Sequence, residues 1–247
     1  MIVFLEKDER LPDPLLPRRN DTLAFSQDLT AERMIEAYPQ GIFPYFAYKD
    51  KFVRWCAPRE RYVIFPDEIH ISHSMRNIMN RNIYRVTINE NFEEVIWACA
   101  KVDGRIFEDG AWLGPELIKI WIELHRRGYA KSVEVWNEDN ELVGGLYGFV
   151  CGRAFIGDSM FSLVPSASKL AMIHLARHMQ SQGGGIIDCQ LETSHLKSMG
   201  ARYISYEEYL KSTQSPDEIT WPEADMPTNT THNHLSINTL HILRAVP

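Results

Sequence analysis

Residues 131–157, KSVEVWNEDNELVGGLYGFVCGRAFIG, limit what the chain can fold into more than any other stretch. β-Branched and aromatic residues fill KSVEVW, ELVGGLYGFV and RAFIG, and the turn-forming NEDN separates the first two. Strand-like runs this close in sequence pair with one another, so the stretch predicts an antiparallel meander. An amphipathic helix is expected over Ser166–Ser181, the glycines at 183–185 end it, and IIDCQ reads as a further short strand. Hairpins followed by a helix and a returning strand call for a mixed α+β sheet rather than an all-parallel one.

The preceding half is organised around shorter signals. The segment LPDPLLPRRNDTLAF is rich in proline and polar residues and reads as extended or looped. In DLTAERMIEAYPQGIFP, Thr30 caps a short helix carrying Met34, Ile35 and Tyr38, and Gly41 and Pro44 stop it. Residues 52–65 suggest short strands broken at Pro58, and a helix over ISHSMRNIMNR sets Ile71, Met75, Ile78 and Met79 on one face. YRVTIN alternates as a strand, Asn91 with Glu94 looks like a capped helix start, and Pro115 opens the helix that ends near Gly128. A last short helix, TSHLKSM, precedes a strand near ARYIS. The predicted organisation is a small N-terminal α/β domain over residues 1–66, a larger α+β domain over 67–211, and a loosely packed tail over 212–247 rich in Pro, Thr, Asn and His.

With 247 residues, 45% of them hydrophobic and 24% charged, the chain can bury a substantial core. Its apolar runs fall short of the ~20 residues of a membrane helix, and MIVFLEKDER lacks the basic start and long apolar stretch of a secretory signal. The expected location is the cytoplasm. Cys56, Cys99, Cys151 and Cys189 form no C-x-x-C pair, which argues against a zinc ribbon or a disulfide framework. His174 and His178 are four apart on a helix, but no clear third ligand accompanies them, so no metal is expected. The formal net charge of −7 does not announce a nucleic-acid partner, although such binding depends on local patches rather than totals.

Two acids stand in apolar or small-residue surroundings: Asp158 in IGDSMF and Asp188 in IIDCQ. If the strand runs through IIDCQ, Asp188 and Gln190 share a face, and a carboxylate beside a carboxamide can accept a proton while the amide orients it or donates to a developing oxyanion. The plainer reading of Asp188 is a cap for the helix near Thr193 and Ser194, and of Asp158 a turn residue bonding its own backbone.

LVGGLYGFV, GDSMFS, SASK and IIDCQ, in that order, with GIFP, HISHSMRN and DGAWL upstream, resemble the leucyl/phenylalanyl-tRNA–protein transferase family. The resemblance runs from about Leu23 to Leu210. It implies a catalytic domain with an acetyltransferase-like (GNAT) fold behind a smaller N-terminal domain. The implied activity moves leucine or phenylalanine from aminoacyl-tRNA to the N-terminal amine of proteins beginning with Arg or Lys, which marks them for degradation. No cofactor is implied, since an aminoacyl ester is already activated and needs only a neutral, well-placed amine.

By the same resemblance, Asp188 is the base, Gln190 its relay and Asp158 the ligand for the basic acceptor, although here Asp replaces the usual Glu. The alternative is attack assisted mainly by the tRNA ribose hydroxyl, with Asp188 only positioning the amine. Leu146, Phe155, Met160, Met172, Leu175 and Ile187 match the aminoacyl side-chain pocket. Tyr45, where Trp is usual, and Trp112 match positions that contact the terminal adenosine, where a ring can stack on the base. His73, Arg76, Arg81 and Arg85 match the cluster that meets the tRNA backbone, with Asn77 and Asn80 at positions that are often basic. From the residues alone the apolar set reads as core and the basic set as a solvated face. A CoA-dependent N-acyltransferase would need a Gly-rich pyrophosphate turn, and GDSMFSLVPSA does not supply one. A tRNA-binding relative without catalysis is the alternative from outside the enzymes.

Overall fold

A computed structural model describes residues 3–7, 9–47, 52–102 and 113–223. The strands form two sheets. The smaller contains β1 (Val3–Leu5), β2 (Thr22–Ser26), β3 (Phe43–Ala47) and β4 (Phe52–Cys56), in the order β1-β2-β4-β3. The larger contains β5 (Glu60–Ile64), β6 (Arg85–Ile88), β7 (Ala130–Trp136), β8 (Leu142–Cys151), β9 (Ala154–Ser162), β10 (Ile186–Asp188) and β11 (Arg202–Ser205). Their order is β11-β5-β10-β9-β8-β7-β6, with only β9 and β10 parallel. The mixed α+β sheet and the meander β7-β8-β9 therefore stand as expected.

The helices start where their sequences supply caps. Thr30 Oγ1 accepts from Arg33 N–H at the start of α1 (Ala31–Ala37), and Asn91 exchanges two hydrogen bonds with Glu94 at α3 (Phe92–Val102). Ser72 caps α2 (His73–Arg81), and Pro115 opens α4 (Pro115–Arg126). On α5 (Ala167–Ser181), Leu170, Met172, Ile173, Leu175, Ala176 and Met179 are all buried, which is a broader apolar surface than one amphipathic stripe. Thr193 caps α6 (Ser194–Ser198), and Ser205 caps α7 (Tyr206–Thr213).

Two features differ from the sequence reading. β5 belongs to the larger sheet, so the sheets part before Glu60 and not at Pro66. Residues 212–223 also pack: α7 runs past Ser212, Ile219 is buried, and the Trp221 ring meets Phe155 at 5.9 Å and His178 at 5.0 Å. Asn89 Nδ2 donates to Pro222 C=O at 2.8 Å, which carries this strap across to the end of β6.

One apolar core joins Met34, Val53 and Trp55 of the first unit to Val95, Ile118, Trp121, Tyr147 and Phe149 on the α3/α4 face of the larger sheet. A second lies on the opposite face, under α5 and α2. No helix among the described residues is long and apolar enough to cross a membrane.

Candidate active site

The two strands that carry the acids run side by side and then part. β9 and β10 pair in parallel through Ile186 with Ala154, Ile187 with Phe155 and Asp188 with Ile156, after which β10 ends. β9 continues to Ser162 with β8 on its other side. Along β9 the pattern is Ala154, Phe155 and Ile156 buried, Gly157 to Met160 partly exposed, then Phe161 and Ser162 buried again. An accessible stretch thus opens in mid-sheet where a neighbouring strand has stopped.

Asp158 stands in that stretch, within the strand rather than in the loop after it. Tyr147 pairs with Ser159 and Gly148 with Gly157, so Asp158 is the extra residue of a β-bulge. Bulges re-aim side chains, and here the carboxylate turns towards the α3/α4 face. Tyr147 Oη donates to Oδ2 at 2.8 Å, and Tyr38 Oη sits 3.4 Å from Oδ1. Burial raises the carboxyl to about 6, and the two phenols pull against that rise. Burial, with Asp158 adding to it, holds both phenols well above their ordinary range, so they stay protonated donors. Asp158 bonds these side chains and not its own backbone.

Asp188 is fully buried. Arg61 of β5, also buried, donates Nη2 to its Oδ2, while the backbone N–H of Gln190 donates to Oδ1 at 2.8 Å. Arg61 is itself fixed by Nη1 donation to Gly41 C=O at 2.7 Å and by the Tyr209 ring, 4.4 Å from its Cζ. Desolvation is the largest influence and works against the guanidinium's charge, but Asp188, Tyr209 and Tyr206 together outweigh it and raise the Arg61 pKa. In this geometry the carboxylate reaches no solvent and holds an arginine, an arrangement that suits support of the site more than direct contact with an incoming amine. The plain reading of it as a helix cap fails, because Thr193 caps α6.

Gln190 is not a strand neighbour of Asp188 either. With β10 ended, its backbone turns left-handed at φ 59°, and its Nε2 donates to Gly157 C=O at 3.0 Å. The carboxamide therefore takes the edge position that β10 vacates, one residue from Asp158. The Asp188 carboxylate is oriented by the Gln190 backbone, not by its side chain.

The apolar candidates gather in the second core. Leu146, Phe155, Met172, Leu175 and Ile187 are buried there and Met160 packs against them, with Leu146 paired to Met160 and Ile187 to Phe155 across strands. Tyr45 is partly exposed on β3 with the Arg54 guanidinium 4.4 Å from its ring centre; Trp112 lies outside the described residues. His73, Arg76 and Arg81 are exposed on α2. Arg85 is exposed on β6 but is paired with Glu90 and lies over the Trp136 ring, so it is a less available cation than its sequence suggests. His178 is occupied by Thr220 C=O, 2.9 Å from its Nε2.

Four residues around the acids were not singled out from the sequence: Tyr38, Tyr147, Arg61 and Tyr209. The signal was present in two of them, an arginine inside the strand run ERYVI and one polar tip in LVGGLYGFV. A buried carboxylate needs a partner, and these runs hold the candidates.

Residues 63–214 match the family described as Leucyl/phenylalanyl-tRNA protein transferase, and residues 27–59 match its N-terminal domain. Proteins named Leucyl/phenylalanyl-tRNA--protein transferase are similar throughout. That of Nitrosomonas eutropha is 43% identical, covering 90% of this chain and 99% of the relative. Those of Pseudomonas fluorescens and Flavobacterium johnsoniae are 42% and 44% identical, covering 90% and 86% of this chain. The solved structure of L-PGS from Bacillus licheniformis is 14% identical over 67% of this chain with a TM-score of 0.38, too low to carry an argument. The chain belongs to the leucyl/phenylalanyl-tRNA–protein transferase family.

Proposed function

We propose that the chain transfers leucine or phenylalanine from aminoacyl-tRNA to the N-terminal amine of acceptor proteins, with Arg or Lys as the preferred first residue. Asp158 carries the reading: a carboxyl on a bulge in the partly exposed stretch of β9, raised to about 6 by burial, beside a strand edge left open by β10. Its charge suits a cationic acceptor. An α-ammonium titrates near 7.7–8, about two units above Asp158, so the same carboxylate that binds the acceptor can take its proton.

The neutral amine attacks the ester carbonyl carbon, the new C–N bond forms, the C–O bond to the ribose breaks as Asp158 returns its proton to the departing ribose oxygen, and the carboxylate so freed takes the second proton from the nitrogen and releases it to solvent. Gln190, held through Nε2, leaves its Oε1 free to accept from the amine and align it. Asp188 acts from behind, with Arg61 fixing it and its Oδ1 fixing the Gln190 backbone. The pocket set receives the leucyl or phenylalanyl side chain, Tyr45 the adenosine, and the exposed α2 cations the tRNA phosphates. The GNAT-like reading of the larger sheet belongs to the same proposal, and the parallel β9–β10 pair that parts beside the acids supports it.

The test is transfer of labelled leucine and phenylalanine from charged tRNA to peptides beginning with Arg, Lys, Asp or Ala. Wild type labels the Arg and Lys peptides, and Asp158→Asn loses about a hundredfold or more in kcat. Equal labelling of Ala and Arg peptides would remove the acceptor role, and an Asp158→Asn enzyme with unchanged kcat would remove the base.

A further inference from the structure

The outer face of the smaller sheet carries a row of side chains of which only Tyr45, at one end, packs against a core. Phe4 of β1 is in register with Phe25 of β2, Phe25 with Arg54 of β4, and Arg54 with Tyr45 of β3. Residues in register across neighbouring strands share a face, so these four line up across the whole sheet, and Phe52, two residues from Arg54, joins them. The rings touch: Phe4 and Phe25 stack at 5.5 Å, and Phe4 meets Phe52 edge-on at 6.1 Å. On the opposite face Ala24, Val53 and Trp55 are fully buried. Phe4, Phe25 and Phe52 belong to none of the apolar cores, and Phe4 is 64% exposed.

The charge on this ledge is positive. Arg54 lies over Tyr45, and among the described residues no carboxylate is within ion-pair distance of it. Arg18 and Arg59 are close enough to repel one another, and Arg18 and Arg54 both border the Cys56 thiol, with Asp21 the acid among them. Flat rings interleaved with cations suit unpaired bases and their phosphates, because every base has a face to stack and every nucleotide a phosphate to neutralise. A second copy of the chain, itself cationic on this face, would meet like charge.

The ledge also leads into the site. Phe43 precedes Tyr45 by two on the same face of β3, and Arg61, which holds Asp188, lies 5.2 Å above the Phe43 ring. Three strand spacings make the row about 14 Å long, about four times the stacked rise of about 3.4 Å and so ample for the few unpaired nucleotides at a tRNA end.

We infer that the row Phe4–Phe25–Arg54, which continues outward from Tyr45 at the terminal adenosine, is a stacking platform for the unpaired nucleotides that precede the aminoacylated terminal residue of the donor tRNA. This rests on the transferase reading. The platform gives grip on the single-stranded end in a way that does not depend on the identity of the tRNA body.

The experiment compares three donors: the phenylalanyl ester of adenosine, the same ester of the trinucleotide cytidylyl-cytidylyl-adenosine, and phenylalanyl-tRNA. Phe25→Leu keeps an apolar side chain and removes the ring. It should raise KM about tenfold for the trinucleotide and for tRNA, with KM for the adenosine ester and kcat for all three unchanged. Phe25→Tyr should behave as wild type, and Arg54→Gln should flatten the salt dependence of KM for tRNA. An equal rise for all three donors makes Phe25 a fold support and overturns the platform, as does no rise for any. Sedimentation of wild type as a dimer that Phe4→Ser separates would put a second copy on the ledge instead. Wild type that transfers from none of the donors defeats the transferase reading, and equilibrium binding of uncharged tRNA to wild type and Phe25→Leu then decides the platform alone.

Discussion

Asp158 trades stability for reactivity. Its folded pKa of about 6 lies above the ordinary carboxyl value, so between the two the folded protein binds more protons than the unfolded chain. Asp158 therefore favours the folded state most fully below pH ~4, and that contribution is lost as pH rises through about 6. Asp158→Asn should accordingly raise the melting temperature at pH 7.5 relative to wild type while transfer collapses, and the two proteins should converge in stability near pH 4. Equal melting temperatures across this range would mean that the carboxylate is not strained. The acid limb of kcat/KM should fall at about pH 6 in wild type, and Tyr147→Phe should move it upward, because Tyr147 is the donor 2.8 Å from Oδ2 that holds the pKa down. A pH–rate profile of both enzymes checks this.

At the level of elements, the site depends on the bulge of β9 against β8. Gly148 is opposite Gly157 across that bulge, and a β-carbon there would lie 2.2 Å from Ile156 C=O and 2.7 Å from the Phe155 ring. Gly148→Ala should cost about 1–3 kcal/mol, read by urea unfolding, and should also lower kcat/KM, because the displaced bulge carries Asp158 with it. The meander around this bulge was legible because alternating runs and turn residues agree there, and Thr30, Asn91 and Pro115 announced their helices. β3 was not, because Pro44 reads as a stop, and it is tolerated only because β3 is an edge strand. α7 was passed over although Ser205 and Glu208 have capping-box spacing, since its apolar side amounts to little more than Tyr206, Tyr209 and Leu210. Both acids were visible as charges in apolar runs, but their division of labour was not. Whether Gln190 continues a strand or turns left-handed is set by where β10 loses its partners, and that is a property of the assembled sheet.

In the whole molecule, Arg61 ties the two units together, joining the Gly41 carbonyl of the first to Asp188 and Tyr209 of the second. Arg61→Leu leaves Asp188 buried without its counter-charge and should cost about 3–5 kcal/mol in urea unfolding. Adding Asp188→Leu should recover part of that loss without restoring transfer, and a double variant no more stable than the single one would show that Arg61 acts through Gly41 instead. The shared core sets an order on synthesis as well. Trp55 and Val53 reach their place only against partners such as Tyr147 and Phe149 of β8, which leave the ribosome about ninety residues later, a delay of roughly 5–20 s at ordinary elongation rates. For that interval the nascent N-terminal segment carries an unburied Trp55 and Val53 on one face besides the Phe4, Phe25 and Phe52 row on the other, so the newborn chain is a client for holding chaperones until β8 emerges.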